Sequence, residues 1–132
     1  MGRGENTLPS IDVLVVEDDS LLNKVMTLQL EHEGMTVRRA FNGEEALSLI
    51  KAMVPSIMIL DVKLPIVDAF GVIEELRKSS KTSKIPLIIH TSQDLSSLDQ
   101  SRLTLGPSKF VTKSTGYSDG FADLIRTLVL EI

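Results

Sequence analysis

Short runs of aliphatic and β-branched residues alternate along this chain with longer stretches of helical periodicity. IDVLVV (11–16), MTVRRA (35–40), SIMIL (56–60), PLIIHT (86–91) and KFVT (109–112) each predict a strand, five in all. The amphipathic stretches between them predict helices. The last is the most regular, with Phe121, Leu124, Ile125, Leu128, Val129 and Ile132 at the spacing that lines one side of a helix. The first helix sets Ser20, Asn23, Lys24, Thr27 and Glu31, its predicted polar face, opposite Leu22, Val25, Met26 and Leu30, with Gly34 as C-terminal cap. The second opens at Asn42 with Glu45 in capping-box spacing. A third covers 69–78. The fourth, within DLSSLDQSRLTLG, is rich in Ser and weakly periodic, which predicts a short or mobile element.

Strict alternation of strand and helix implies a parallel sheet with helices on both faces, the α/β class. The uninterrupted runs VLVV, IMIL and PLII mark three strands buried on both sides. Met26, Met35, Met53 and Met58 are expected to fill the core.

Composition narrows the function. With 132 residues, 42% hydrophobic and 24% charged, the chain is expected to form one domain over 10–132 with no effector domain, residues 1–9 being a frayed tail. The absence of cysteine excludes disulfides and thiolate chemistry. A net charge of −4 argues against a nucleic-acid partner. No apolar run approaches the roughly 18 residues of a bilayer span, so neither a membrane nor export is expected and the location reads as cytoplasmic. The basic, hydroxyl-rich RKSSKTSK (77–84) reads as a solvated loop.

In an open parallel sheet, ligands bind beyond the carboxyl ends of the strands. Strand one is followed by Glu17, Asp18 and Asp19, strand three by Asp61, and strand five by Lys113, while strand four ends in Thr91 and Ser92. Each alone has an ordinary structural explanation, such as helix capping. Together, converging carboxylates would repel one another unless a cation or a proton offsets them. Oxygen-only donors favour a hard divalent ion, Mg²⁺. With that charge in place Asp61 could attack a phosphoryl group and carry it as an aspartyl phosphate. Lys113 would stabilise charge on the transferring group, and the Thr91 hydroxyl would donate to one of its oxygens.

The segments VLVVEDDS, ILDVKLPIVDAFG, IIHTS and FVTKS, in that order over about residues 11–132, resemble the receiver domain of two-component response regulators. The resemblance implies a flavodoxin-like doubly wound sheet of order 2-1-3-4-5 with five helices. It makes Asp61 the phospho-accepting aspartate and Asp18 and Asp61 direct Mg²⁺ ligands, with Glu17 acting through metal-bound water and Asp19 outside the site. The Lys63 backbone carbonyl would complete the metal ligands, the Lys63 side chain would tune phosphoryl lifetime, and Pro65 would form the bend beyond. Thr91 would be the switch hydroxyl, Phe110 the rotating aromatic, and Lys113 the phosphate-binding lysine. The implied partners are a sensor histidine kinase or histidine phosphotransfer protein and a downstream protein target. A homodimer through the face of helices four and five is a further implication.

Departures from the family pattern are Ser114 in place of proline, which leaves the Lys113–Ser114 bond open between cis and trans, Ala69 in place of glycine after Asp68, and Pro107 after Gly106. His90 and His32 read as structural. Three other readings remain at this point: a receiver-like interaction module that turns over no phosphate, a haloacid-dehalogenase-like phosphatase, and a flavodoxin-like FMN carrier. The phosphatase would want an acid where Lys63 stands. The FMN carrier is disfavoured because EDDS after strand one would repel a phosphate.

Overall fold

The structure, a computed structural model, describes residues 10–113 and 120–130. Five strands, β1 (Asp12–Val16), β2 (Thr36–Ala40), β3 (Ile57–Leu60), β4 (Leu87–Thr91) and β5 (Ser108–Thr112), alternate with five helices. The helices are α1 (Ser20–His32), α2 (Gly43–Ala52), α3 (Ala69–Leu76), α4 (Ser97–Arg102) and α5 (Phe121–Leu130). All strand pairs are parallel and the order is β2-β1-β3-β4-β5. This is the expected doubly wound topology, with element ends within about two residues of their predicted positions.

Alternation along the strands splits the core in two. Leu14, Val16, Met58, Leu60, Leu87 and Ile89 pack under α2 and α3 against Ala46, Ile50, Val72 and Ile73. Val13, Val15, Ile57, Ile59 and Ile88 face the other way and pack against Met26 and Leu30 of α1 and Phe121, Ile125 and Leu128 of α5. β1, β3 and β4 are buried along nearly their whole length, whereas β2 and β5 are half-exposed edges.

Local signals explain the helix ends. Asn42 Oδ1 accepts from the Glu45 N–H at 2.8 Å, and Glu45 reaches back to the Phe41 N–H at 2.7 Å, closing a capping box displaced by one residue. Gly34, at φ 88°, turns the chain out of α1 in a conformation that favours glycine. α4 has six residues and buries none of them, in keeping with its weak periodicity. Arg77, at the end of α3, holds it by donating to the carbonyls of Ser101 at 2.9 Å and Thr104 at 2.7 Å.

Two expectations fail. Met53 lies at the exposed end of α2 and not in the core, while Met26, Met35 and Met58 are buried. Asn23 and Thr27 are buried, although the helical pattern placed them on the polar face, because backbone carbonyls and Arg39 replace water around the Asn23 amide. Ile132, the tail 1–9 and Ser114 lie outside the described residues, and so does the geometry of the Lys113–Ser114 bond.

Candidate functional site

The carboxyl edge of the sheet gathers the acids predicted for it. Glu17 directly follows β1 and Asp61 directly follows β3; both are buried, at 2% and 7% exposure, while Asp18 is open to solvent. Carboxylate oxygens of Glu17, Asp18 and Asp61 all lie within 4.8 Å of one another. Lys113, just beyond β5, reaches across to them. Its Nζ donates to Asp61 Oδ2 at 2.9 Å and pairs with Glu17 Oε1 at 2.7 Å.

Each remaining acid oxygen with a partner is held by backbone. Asp61 Oδ1 accepts from the Val62 N–H at 2.7 Å, and Glu17 Oε2 accepts from the Asp19 N–H at 3.1 Å. Asp19 itself turns away, its Oδ1 capping α1 through the Leu22 N–H at 3.1 Å, as expected for a residue outside the cluster. Burial pushes the Glu17 carboxyl above its ordinary pKa, against the lowering effect of its hydrogen bond from Lys113. Burial alone would lower Lys113, but its hydrogen bonds to Glu17 and Asp61 and their charges outweigh it and raise the ammonium above the ordinary lysine value.

Thr91 ends β4 and is buried, its Oγ1 accepting from the Gln93 N–H at 3.3 Å. Lys63 is exposed in the loop after β3 and, with Asp18, Leu64, Phe70 and Gln93, lines an open cleft of about 510 Å³ beside the acids. Past Lys63 the chain bends at Pro65: the Val67 N–H donates to the Pro65 carbonyl at 2.8 Å around Ile66, whose φ is 71°. That is a strained γ-turn at a β-branched residue. Phe110 sits half-buried on β5 against the α2/α3 side of the core. Ala69 is fully buried at the first turn of α3, where Asp68 caps the helix through the Gly71 N–H, and Pro107 takes its place in the ladder by accepting from the Leu87 N–H.

His90 points to the opposite face from Thr91, edge-on to Phe121 at 5.0 Å, and among the described residues neither ring nitrogen has a hydrogen-bond partner. Packing is therefore its structural role. His32 is exposed in the last turn of α1. The Glu17–Lys113 ion pair and the amide of Asn23 were not anticipated. The hint in the sequence for Asn23 is an amide about one and a half turns past the acids, on the helix that follows them.

A divalent cation fits this donor set. It is all oxygen, acidic, one-sidedly open at Asp18, and compact enough that a positive charge is needed, a need that Lys113 meets in part.

A parallel 2-1-3-4-5 sheet whose strand ends converge on a carboxylate cluster, with a lysine reaching in from the fifth strand, defines the class of receiver-type α/β domains. The family model described as "Response regulator receiver domain" matches residues 13–124, and the chain belongs to that family. A protein-glutamate methylesterase/protein-glutamine glutaminase of Halalkalibacterium halodurans is 34% identical over 92% of this chain, which spans only 35% of that relative's length. Among solved structures, a response regulator from Chloroflexus aurantiacus superposes with TM-score 0.81 at 26% identity, covering 92% of this chain and 99% of that one. The receiver domain of a sensor histidine kinase from Pseudomonas aeruginosa, determined with a magnesium ion in its active-site cleft, shares the fold with TM-score 0.79 at 19% identity, over 92% of this chain and 98% of that one.

Proposed function

We propose that this chain is a phosphoacceptor receiver that takes a phosphoryl group onto Asp61 from a sensor histidine kinase or histidine phosphotransfer protein and thereby switches its affinity for a downstream protein. The observation that carries this reading is the buried Asp61 carboxylate beside Glu17 and Asp18, with Lys113 Nζ 2.9 Å from its Oδ2.

Glu17, Asp18, Asp61 and the Lys63 carbonyl would hold Mg²⁺, and the magnesium seen in the Pseudomonas receiver supports this choice of ion. When bound, the ion supplies neutralising charge for the oxygens of the incoming phosphoryl group. An Asp61 oxygen attacks phosphorus as the bond to the donor breaks, and the electron pair of that bond stays with the donor atom. The Lys113 ammonium, already at Asp61, then pairs with a phosphoryl oxygen. Thr91 turns its hydroxyl from Gln93 toward another, and Phe110 follows it into the space vacated. The altered surface over α4, β5 and α5 is where a downstream protein or a second copy of the chain would bind.

The chain itself is read as no enzyme beyond this self-transfer and loss of its own phosphoryl group. Among the described residues no helix is long and apolar enough to cross a membrane, and a cytoplasmic location suits a kinase partner.

Incubation with Mg²⁺ and acetyl phosphate followed by intact-mass spectrometry tests the reading. A labile adduct of about 80 Da, one phosphoryl group, is expected on wild type and not on Asp61→Asn. An adduct on both, or on neither even with a histidine kinase as donor, refutes it; the latter outcome favours the non-phosphorylating interaction module.

A further inference from the structure

Asn23 has no exposure to solvent, and both ends of its amide are engaged. Its Nδ2 donates to the carbonyl of Glu17 at 3.0 Å and to that of Ala40, the last residue of β2, at 3.1 Å. The Ala40 carbonyl also accepts from the Glu17 N–H at 3.1 Å, so one side chain and one backbone bond bracket the ends of β1 and β2 together. Asn23 Oδ1 accepts from Arg39 Nε at 2.7 Å and from Thr27 Oγ1 at 3.4 Å. These donors decide which end of the amide faces the carbonyls, since a flipped amide would turn its NH₂ to Arg39 and an oxygen to two other oxygens. Arg39 is in turn placed by the Phe41 ring, its guanidinium carbon 5.1 Å from the ring centroid.

The Glu17 carbonyl and the Asp18 nitrogen belong to one planar peptide group. Holding that carbonyl sets the plane from which the Asp18 side chain departs. Asp18 needs such an anchor, because its carboxylate is exposed and accepts no hydrogen bond among the described residues, unlike the carboxylates of Glu17 and Asp61. We infer that Asn23, oriented by Arg39, is the positioning residue of the acidic cluster and presents Asp18 to the divalent cation. The inference rests on the metal reading given above. Partners that orient a ligand set from behind commonly control metal affinity by ten- to a hundredfold.

The test is Mg²⁺ affinity of the folded protein by titration calorimetry, well below the unfolding temperature of every variant. Asn23→Leu keeps the branched outline of the side chain but removes both donors, and is expected to weaken Mg²⁺ at least about tenfold. Arg39→Met, a change on the half-buried edge strand, is expected to weaken it several-fold, and the double variant should be no weaker than Asn23→Leu alone, since both act through the same amide. Ile125→Ala, which thins the α5 side of the core, should lower the unfolding temperature and leave the affinity as in wild type; that separates positioning from simple loss of stability. A shift of the Asn23 side-chain NH₂ resonance on adding Mg²⁺ to wild type is the expected spectroscopic sign. Wild-type protein that binds no Mg²⁺ overturns the metal reading and this inference with it. Wild type that binds, with Asn23→Leu and Arg39→Met binding equally well, overturns the inference alone; should Asn23→Leu fail to fold, Arg39→Met decides.

Discussion

Lys113→Met keeps most of the side chain's unbranched stem and removes its charge, leaving two buried carboxylates facing each other. The ammonium lies 2.7 Å from Glu17 Oε1 and 2.9 Å from Asp61 Oδ2, and the three side chains are 23%, 3% and 9% exposed. At an effective dielectric of about 20, each contact corresponds to a Coulomb attraction of about 6 kcal/mol, an upper bound because bringing the charges out of water costs several kcal/mol per ion. Removing one partner of such a buried set typically costs about 3–5 kcal/mol, since the other charges stay behind uncompensated. Urea unfolding at neutral pH, followed by far-ultraviolet circular dichroism without divalent ions, should therefore show Lys113→Met less stable by that amount. Two further results should follow. Saturating Mg²⁺ should recover much of the loss by supplying the missing positive charge. Acidification should narrow the gap as Glu17, whose pKa is already raised by burial, takes up a proton. A difference below about 1 kcal/mol, the range of an exposed ion pair, would refute the view that the lysine offsets the charge of the cluster.

Other perturbations probe separate parts of the structure. Burial and the nearby Lys113 charge lower the His90 pKa to about 4, against the opposing effect of Asp61, so the unfolded chain, with an ordinary value of 6.5, binds the proton better. Stability should be complete above that value and fall by about 3 kcal/mol as pH drops from 6.5 toward 4; His90→Leu should remove that slope in pH-dependent unfolding. Ile66→Gly should raise stability by about 1 kcal/mol, measured by thermal unfolding, because φ 71° strains a β-branched residue and not glycine. Gly43→Ala should destabilise by about 2 kcal/mol or more, because a Cβ there would run into the Val67 backbone carbonyl; denaturant titration reads this directly.

The fold was legible because its strongest signals are local. VLVV, IMIL and PLII could only be strands buried on both faces, and β1, β3 and β4 are the three central strands. The site was legible for a topological reason: in a parallel sheet every strand delivers its following residue to the same edge, so Glu17, Asp61 and Lys113 converge whatever the details of packing. Long-range pairing was not legible. Nothing in FVTKS says that the lysine bonds to both acids, a contact that spans 52 residues for Asp61. The polar pattern of α1 misled for a related reason, since an asparagine satisfied by carbonyls has the same letter as one satisfied by water. Met53 misled in the opposite sense: an apolar residue at a helix end need not be covered.

The most direct test of the central claim is to identify the residue that carries the phosphoryl group. Protein treated with acetyl phosphate and Mg²⁺ is reduced with borohydride, which converts an aspartyl phosphate to homoserine, and is then mapped by peptide mass spectrometry. Homoserine is expected at position 61 and aspartate at positions 18 and 19. Homoserine at either of those, or an unreduced Asp61 in protein that has gained a phosphoryl group, would contradict it.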